Sequence, residues 1–261
     1  MNVMRFEKMH PADQLVAIMA RIYRGGMTTT SGGNLSILDE NGDIWITPSG
    51  IDKGSLTRSD MIQVKPDGAL IGVHKPSVEL PFHREIYRRR PDLRAIVHAH
   101  PPTLVAYSLA RVIPDVRVTP SAAEICGRVA MAPYAVPGSA RLGDNIAQEF
   151  EKGFDSVMLE NHGVVCGADT LLRAFQRFET LDFCGRLGLN AAKLGGAAPL
   201  TDAQLASHGA LLPDTLVPRA PSSEERAARR DLSAMARRCY EQKLFTSTQG
   251  AFSLRLSDSS F

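Results

Sequence analysis

Between Pro11 and Arg24 the apolar positions Leu15, Ile18, Met19 and Ile22 recur at three- and four-residue intervals, the spacing of one helix face. Pro11 suits the first turn of that helix. Small residues then take over in the stretch TTTSGGN, before Leu35–Leu38 predicts a strand. Asn41-Gly42-Asp43 is a hairpin signal, and Ile44–Thr47 predicts the return strand. The T-P-S-G run at 47–50 reads as a turn. Residues 78–90 read as a helix that ends before Pro91, and Ala95–His98 as a short buried strand. Prolines at 101 and 102 open a further helix to Arg111. Ser156–Glu160 and Gly163–Cys166 predict two strands joined by a turn at Asn161–Gly163, with Gly163 letting the backbone bend. A long helical pattern over 170–194 follows, marked by Leu171, Leu172, Phe175, Phe178, Leu181 and Leu187. Strands and helices alternate irregularly, without G-x-G-x-x-G or a P-loop. That pattern predicts an α/β protein, a three-layer α/β/α sandwich around a mixed central sheet.

After the long helix the pattern changes. GGAAP at 195–199 and LVPRAPSS at 216–223 read as loop and linker. The expected division is one domain over 1–215 and a separate segment over 216–261. That segment is similar to the start of the chain at a constant offset of 217 positions, with the pairs Leu15/Leu232, Ala17/Ala234, Arg21/Arg238, Tyr23/Tyr240, Thr29/Thr246, Gly33/Gly250 and Ser36/Ser253. Average composition would produce one or two such identities, so the tail is expected to open a second, incomplete copy of the first helix–loop–strand unit. Ala251 stands where the first copy has Asn34.

Composition narrows the function classes. Of 261 residues, 44% are apolar and 22% charged, an ordinary globular balance, and the net charge of +2 does not call for a nucleic-acid partner. Arg88, Arg89 and Arg90 read as the solvated end of a helix. No apolar leader or membrane-length stretch is present, so no membrane partner is expected. Cys126, Cys166, Cys184 and Cys239 form no CxxC pair and read as thiols of a cytoplasmic protein.

The sharpest chemical signal is His98-Ala99-His100 at the end of an apolar run. On a strand, residues i and i+2 share a face, so two imidazoles can approach one metal ion. His162, in the turn Glu160-Asn161-His162-Gly163, is the candidate third ligand. The same two histidines would serve equally as partners of water or a carboxylate. His83, on the 78–90 helix, could line the site but reads first as a packed or surface histidine, and His10, His74 and His208 as loop or surface residues. Glu79 stands near a helix start, where a carboxylate is stabilised by the helix dipole. The same position suits acid/base catalysis beside a metal, and periodicity does not choose. Three small polar loops, Ser31–Asn34, Thr47–Gly50 and Pro76–Ser77, read as turns that can also cradle an anion.

Taken in order, S-G-G-N-L-S, T-P-S-G-I, P-S-V-E, H-A-H and N-H-G resemble the class II aldolase/adducin family over roughly residues 11–195. The resemblance implies that His98, His100 and His162 bind one divalent metal ion, zinc first, with manganese, cobalt or iron as alternatives. It implies Glu79 as the catalytic acid/base, and Asn34, Ser49, Gly50 and Ser77 as the residues that hold the anionic end of a small-molecule substrate. It further implies a homotetramer and lyase chemistry of aldolase type, passing through an enediolate. Two departures bear on this. Phosphate-handling members carry two serines before the glutamate, whereas the second is Val78 here. The sugar-phosphate epimerase branch carries aspartate in place of Glu79, and its second carboxylate falls near Glu124 but out of register. Decarboxylation is the second expectation, epimerisation the third, and an adducin-like interaction module without metal the last.

Overall fold

The computed structural model describes residues 6–208 and 220–256. They fall into two compact units, divided between Pro199 and Leu200. The boundary expected at 215/216 lies outside the described residues.

In the first unit, eight strands form one sheet: β1 (Asn34–Leu38), β2 (Ile44–Ile46), β3 (Ile62–Val64), β4 (Leu70–Ile71), β5 (Ala95–Ala99), β6 (Val129–Ala132), β7 (Ser156–Leu159) and β8 (Gly163–Ala168). Their order is β4-β3-β2-β1-β5-β8-β7-β6. All pairs are antiparallel except β6 with β7, so the sheet is mixed. Helices α1 (Pro11–Arg24), α3 (Pro102–Ala110), α4 (Pro120–Cys126) and α6 (Leu171–Ala192) pack on one face. Helices α2 (Leu80–Arg89) and α5 (Ala140–Glu151) pack on the other. This is the expected three-layer sandwich. Strands β3, β4 and β6 and helices α4 and α5 were not legible in the sequence; they are short or lie between weak turn signals, and tertiary pairing completes them.

Each layer follows from its residue pattern. The α1 stripe of Leu15, Ile18, Met19 and Ile22 is fully buried, and each such side chain contributes about 1.5–3 kcal/mol on leaving water. His10 caps the helix, its Nδ1 accepting from the Ala12 N–H at 3.2 Å. In β5 alternate residues face opposite layers: Ala95, Val97 and Ala99 join the α1/α6 core, whereas Ile96 joins the α2/α5 core. His98, two residues beyond Ile96, therefore faces α2. β1 behaves likewise, with Leu35 and Ile37 against the α1/α6 core and Asn34 and Ser36 on the α2 side.

The run of arginines departs from expectation. Arg89 pairs with Glu85, Asp144 and Glu151, and Arg90 with Asp92 and Asp155, both largely covered. They tie α2 to α5 and to the start of β7 rather than forming a solvated end; Arg88, paired with Glu85, stays exposed.

The second unit contains α7 (Asp202–His208) and α8 (Ser223–Glu241). Ser222 and Glu225 form a reciprocal capping box at the start of α8. Residues 251–256, the counterpart of β1 at the offset of 217, form no strand.

Candidate active site

Glu79 occupies the N-cap position of α2 but makes no capping bond with its side chain. The carboxylate turns inward instead, 3.2 Å from His98 Nε2 and 3.6 Å from His162 Nε2. His98 is fully buried, and its Nδ1 lies 3.0 Å from the Val164 carbonyl. A carbonyl only accepts, so Nδ1 carries a proton, and Nε2 faces into the site toward Glu79. His100 Nε2 lies 3.0 Å from that atom. The three ring centroids form a near-equilateral triangle with sides of 4.8, 4.9 and 5.0 Å.

The β7–β8 turn positions His162, but not by the residue expected. Asn161 adopts the left-handed conformation, φ 56°, and makes the bend. Gly163 serves close approach: a Cβ there would lie 2.6 Å from the Ala99 carbonyl and 2.7 Å from the His100 ring. Gly33 does the same across the sheet, at φ 74° and 2.7 Å from the His98 carbonyl.

Burial sets the protonation states. It lowers His100 to about 3 and His162 to about 4, with the charge of His98 acting in the same direction, so both rings are neutral near pH 7. Burial alone would raise Glu79. The adjoining His98, the Asn34 amide and His162 more than offset that and hold the carboxyl well below its ordinary range. Glu79 Oε1 and His162 Nδ1 are buried without a hydrogen-bond partner. Three imidazole nitrogens within 4.8 Å of one another, beside an acceptor-only carboxylate with an unmatched oxygen, form a donor set that fits a divalent cation.

The four residues expected at the anionic end of a substrate divide into two pairs. Asn34 and Ser77 sit against Glu79: Asn34 Nδ2 donates to Glu79 Oε2 at 2.7 Å, and Ser77 Oγ accepts from the Glu79 N–H at 3.2 Å. Ser49 and Gly50 lie in the turn after β2, joined to the 75–77 segment by a Pro48–Pro76 bridge and by the Ser49 N–H on the Lys75 carbonyl. Behind that turn the buried Lys53 ammonium donates to the Pro48 carbonyl at 2.5 Å, and desolvation lowers it to about 8. Val78 is exposed, and so is Glu124 on α4.

The sequence left His83 open between lining the site and packing, and Ser36 and Tyr87 were missed; all three are buried on the Asn34 side of β1. Their signal was present as polar residues where a core stripe belongs, at every second position of β1 and every fourth of α2.

An antiparallel-dominated sheet lies between two helical layers, and three histidines and a carboxylate converge at the ends of β5, β7 and α2, the arrangement of an α/β fold built around a candidate metal centre. The chain belongs to the class II aldolase/adducin family: the profile for the Class II Aldolase and Adducin N-terminal domain matches residues 13–189. It is 34% identical over 178 residues to 3-oxo-tetronate 4-phosphate decarboxylase of Pectobacterium atrosepticum, covering 67% of this chain and 81% of that protein. It is equally, 34%, identical over 199 residues to 5-deoxy-D-ribulose 1-phosphate aldolase of Bacillus thuringiensis, covering 70% and 86%. Among solved structures it resembles an L-fuculose 1-phosphate aldolase, with a TM-score of 0.67 and 30% identity over 76% of this chain and 93% of that one. The protein is an enzyme of class II aldolase type, a metal-dependent class.

Proposed function

We propose that this enzyme is a lyase acting on a small hydroxy-carbonyl or sugar-phosphate-like anion, with His98, His100 and His162 holding one divalent ion and Glu79 as acid/base. The observation that carries this reading is the convergence of three imidazoles on a buried carboxylate whose Oε1 has no hydrogen-bond partner. Zinc suits the three-histidine set best, and imidazole also accepts manganese, cobalt or iron. When bound, the ion supplies Lewis acidity, stabilising the enediolate charge left when a carbon–carbon bond next to a carbonyl breaks. Glu79 then moves the proton that the enediolate gains or loses. The adjoining His98, Asn34 and His162 keep it ionised against the effect of burial and place it for that transfer. The Ser77 hydroxyl and the Thr47–Gly50 turn bind the anionic end of the substrate, and Asn34 links that end to Glu79.

Decarboxylation through the same stabilised charge is the second reading. It is favoured by a decarboxylase among the relatives of equal identity. Epimerisation ranks third, since Glu124, the carboxylate nearest to the one that branch uses, is exposed. The unpaired thiols, three of them buried, suit a reducing compartment such as the cytoplasm. Exposed Val78, Tyr134 and Val136 supply apolar surface for the expected homotetramer. The segment 232–253 is read as the opening of a second copy of the unit over 15–36.

Elemental analysis of the wild type beside His98→Ala tests the metal centre. About one divalent ion per chain, lost in the variant, is the expected result; a metal-free wild type that takes up none on addition overturns it. The loaded enzyme is then offered ketose 1-phosphates, read by aldehyde release, and 3-oxo-tetronate 4-phosphate, read by carbon dioxide release. The product formed decides between cleavage and decarboxylation.

A further inference from the structure

Beneath the site runs a buried polar chain of which the lyase reading uses only Glu79 and Asn34. Glu79, His83 and Tyr87 stand at four-residue intervals along α2, and Asn34 and Ser36 at a two-residue interval along β1. Four helical residues rise about 6 Å, and two strand residues about 6.6–6.8 Å. The two stripes therefore interleave in the order Glu79, Asn34, His83, Ser36, Tyr87. Successive contacts are 2.7 Å from Asn34 Nδ2 to Glu79 Oε2, 2.5 Å from His83 Nε2 to Asn34 Oδ1, 2.7 Å from Ser36 Oγ to His83 Nδ1, and 2.7 Å from Tyr87 OH to Ser36 Oγ. None of the five residues is more than 6% exposed.

The chemistry of each group fixes the direction of the whole chain. A carboxylate only accepts, so the Asn34 amide must turn its N–H toward Glu79 and its oxygen toward His83. His83 must then donate from Nε2. A neutral ring with its proton on Nε2 has a lone pair on Nδ1, which accepts a hydrogen bond from the Ser36 hydroxyl. Ser36 Oγ in turn accepts from Tyr87. Burial lowers His83 to about 3, keeping the ring neutral, and raises the Tyr87 phenol, keeping its proton in place. Every donor points toward Glu79, and bonds aligned in a low-dielectric interior reinforce one another.

We propose that His83, backed by Ser36 and Tyr87, is a positioning residue: it locks the Asn34 carboxamide so that Asn34 donates to Glu79 and aims the carboxylate at the reacting centre. The proposal rests on the reading of Glu79 as acid/base, and it assigns a purpose to three buried polar groups that packing alone would replace with apolar ones. Removing the His83 donor frees the Asn34 amide to rotate and present its oxygen to the carboxylate, a repulsive arrangement. Gln at 83 retains an N–H near the position of Nε2 and preserves the lock; Phe does not.

Two readouts test this. Long-range nitrogen–proton correlation spectra of protein labelled with ¹⁵N-histidine, loaded with zinc and metal-free, report the His83 tautomer, with His83→Gln assigning the signal. The Nε2–H tautomer is expected; an Nδ1–H tautomer reverses the chain and overturns the proposal without any substrate. On the substrate the enzyme turns over, His83→Phe should lower kcat about 10- to 100-fold with KM within about threefold, part of the 10²–10⁴ that acid/base catalysis supplies. His83→Gln should recover most of that loss. Equal losses in both variants, tracking their Tm, would reduce His83 to a packing residue. Glu79→Gln separates the two ideas: if it stays active, the acid/base reading fails, whereas an inactive Glu79→Gln beside a fully active His83→Phe sinks only the positioning role.

Discussion

Helices α1 and α8 share Leu15/Leu232, Ala17/Ala234, Arg21/Arg238 and Tyr23/Tyr240 at the offset of 217 and meet different ends. Their C-terminal turns are alike bond for bond. In α1 the N–H groups of Gly25, Gly26 and Met27 reach the carbonyls of Arg21, Tyr23 and Ile22; in α8 those of Gln242, Lys243 and Leu244 reach Arg238, Tyr240 and Cys239. Gly26 and Lys243 both take left-handed φ, 69° and 60°, and Gly33 and Gly250 match at 74° and 91°. Yet the α1 stripe is buried under β1 and α6, whereas the matching Leu232, Met235, Ala236 and Cys239 are exposed or half-buried within their unit. After Gly33 the chain pairs with β5 and delivers Asn34 to Glu79. After Gly250 it forms no strand, and Ala251 has no amide to deliver. Local sequence specifies the turn; only a sheet to pair with makes it a site.

The largest effect that sharpens this contrast comes from a charge on each stripe. Ile18→Asp places a carboxylate in a fully buried position and should cost about 4 kcal/mol or more, read by denaturant unfolding. Met235→Asp, at a position 45% exposed, should stay within about 0.5 kcal/mol. Comparable losses at both positions would mean that the α8 face is covered in solution.

Next come the matched glycines. Alanine at Gly33 meets the His98 carbonyl at 2.7 Å in a left-handed conformation, so it should cost about 1–3 kcal/mol and lower bound metal in parallel. Gly250→Ala meets the Phe245 ring at 3.0 Å and should leave metal content unchanged. Metal retained in Gly33→Ala would show that the H-A-H segment tolerates displacement.

The smallest effect is graded with pH. His83 is neutral in the fold, with a value near 3 against an ordinary 6.5, so the unfolded chain binds the extra proton below pH 6.5. Stability of the metal-free protein should therefore be level above about pH 6.5 and decline as pH falls toward 3, by up to about 1.4 kcal/mol per unit for His83 alone. Glu79 acts in the same direction below 4.5, since its depressed value makes the ionised form part of the fold. Thermal melts of wild type and His83→Phe between pH 7 and 5 measure the difference, and identical slopes would remove His83 from the account.

Much of the centre of the molecule was legible in its residues. The α1 stripe, the hairpin around Gly42, the buried run before His98 and the two strands flanking Asn161–Gly163 all carry their periodicity openly, and each is found where expected. The peripheral elements β3, β4, β6, α4 and α5 were not, because short segments are completed by neighbours they cannot reveal. The arginines at 89 and 90 looked solvated for the same reason: their carboxylate partners Asp144, Glu151 and Asp155 lie more than fifty residues away.

By itself the sequence determined the family, the three-layer architecture and the set of polar residues able to do chemistry, since those depend on residue type, order and local period. Only the tertiary structure decided which of them meet. Glu79 could have been a helix cap, and His83 a surface histidine. The antiparallel pairing of β1 with β5, which sets Asn34 opposite His98, and the packing of α2 across both strands turn each inward. Period and propensity act within a few residues. A site drawn from four separate elements depends on registers and packing distances that only the folded chain contains.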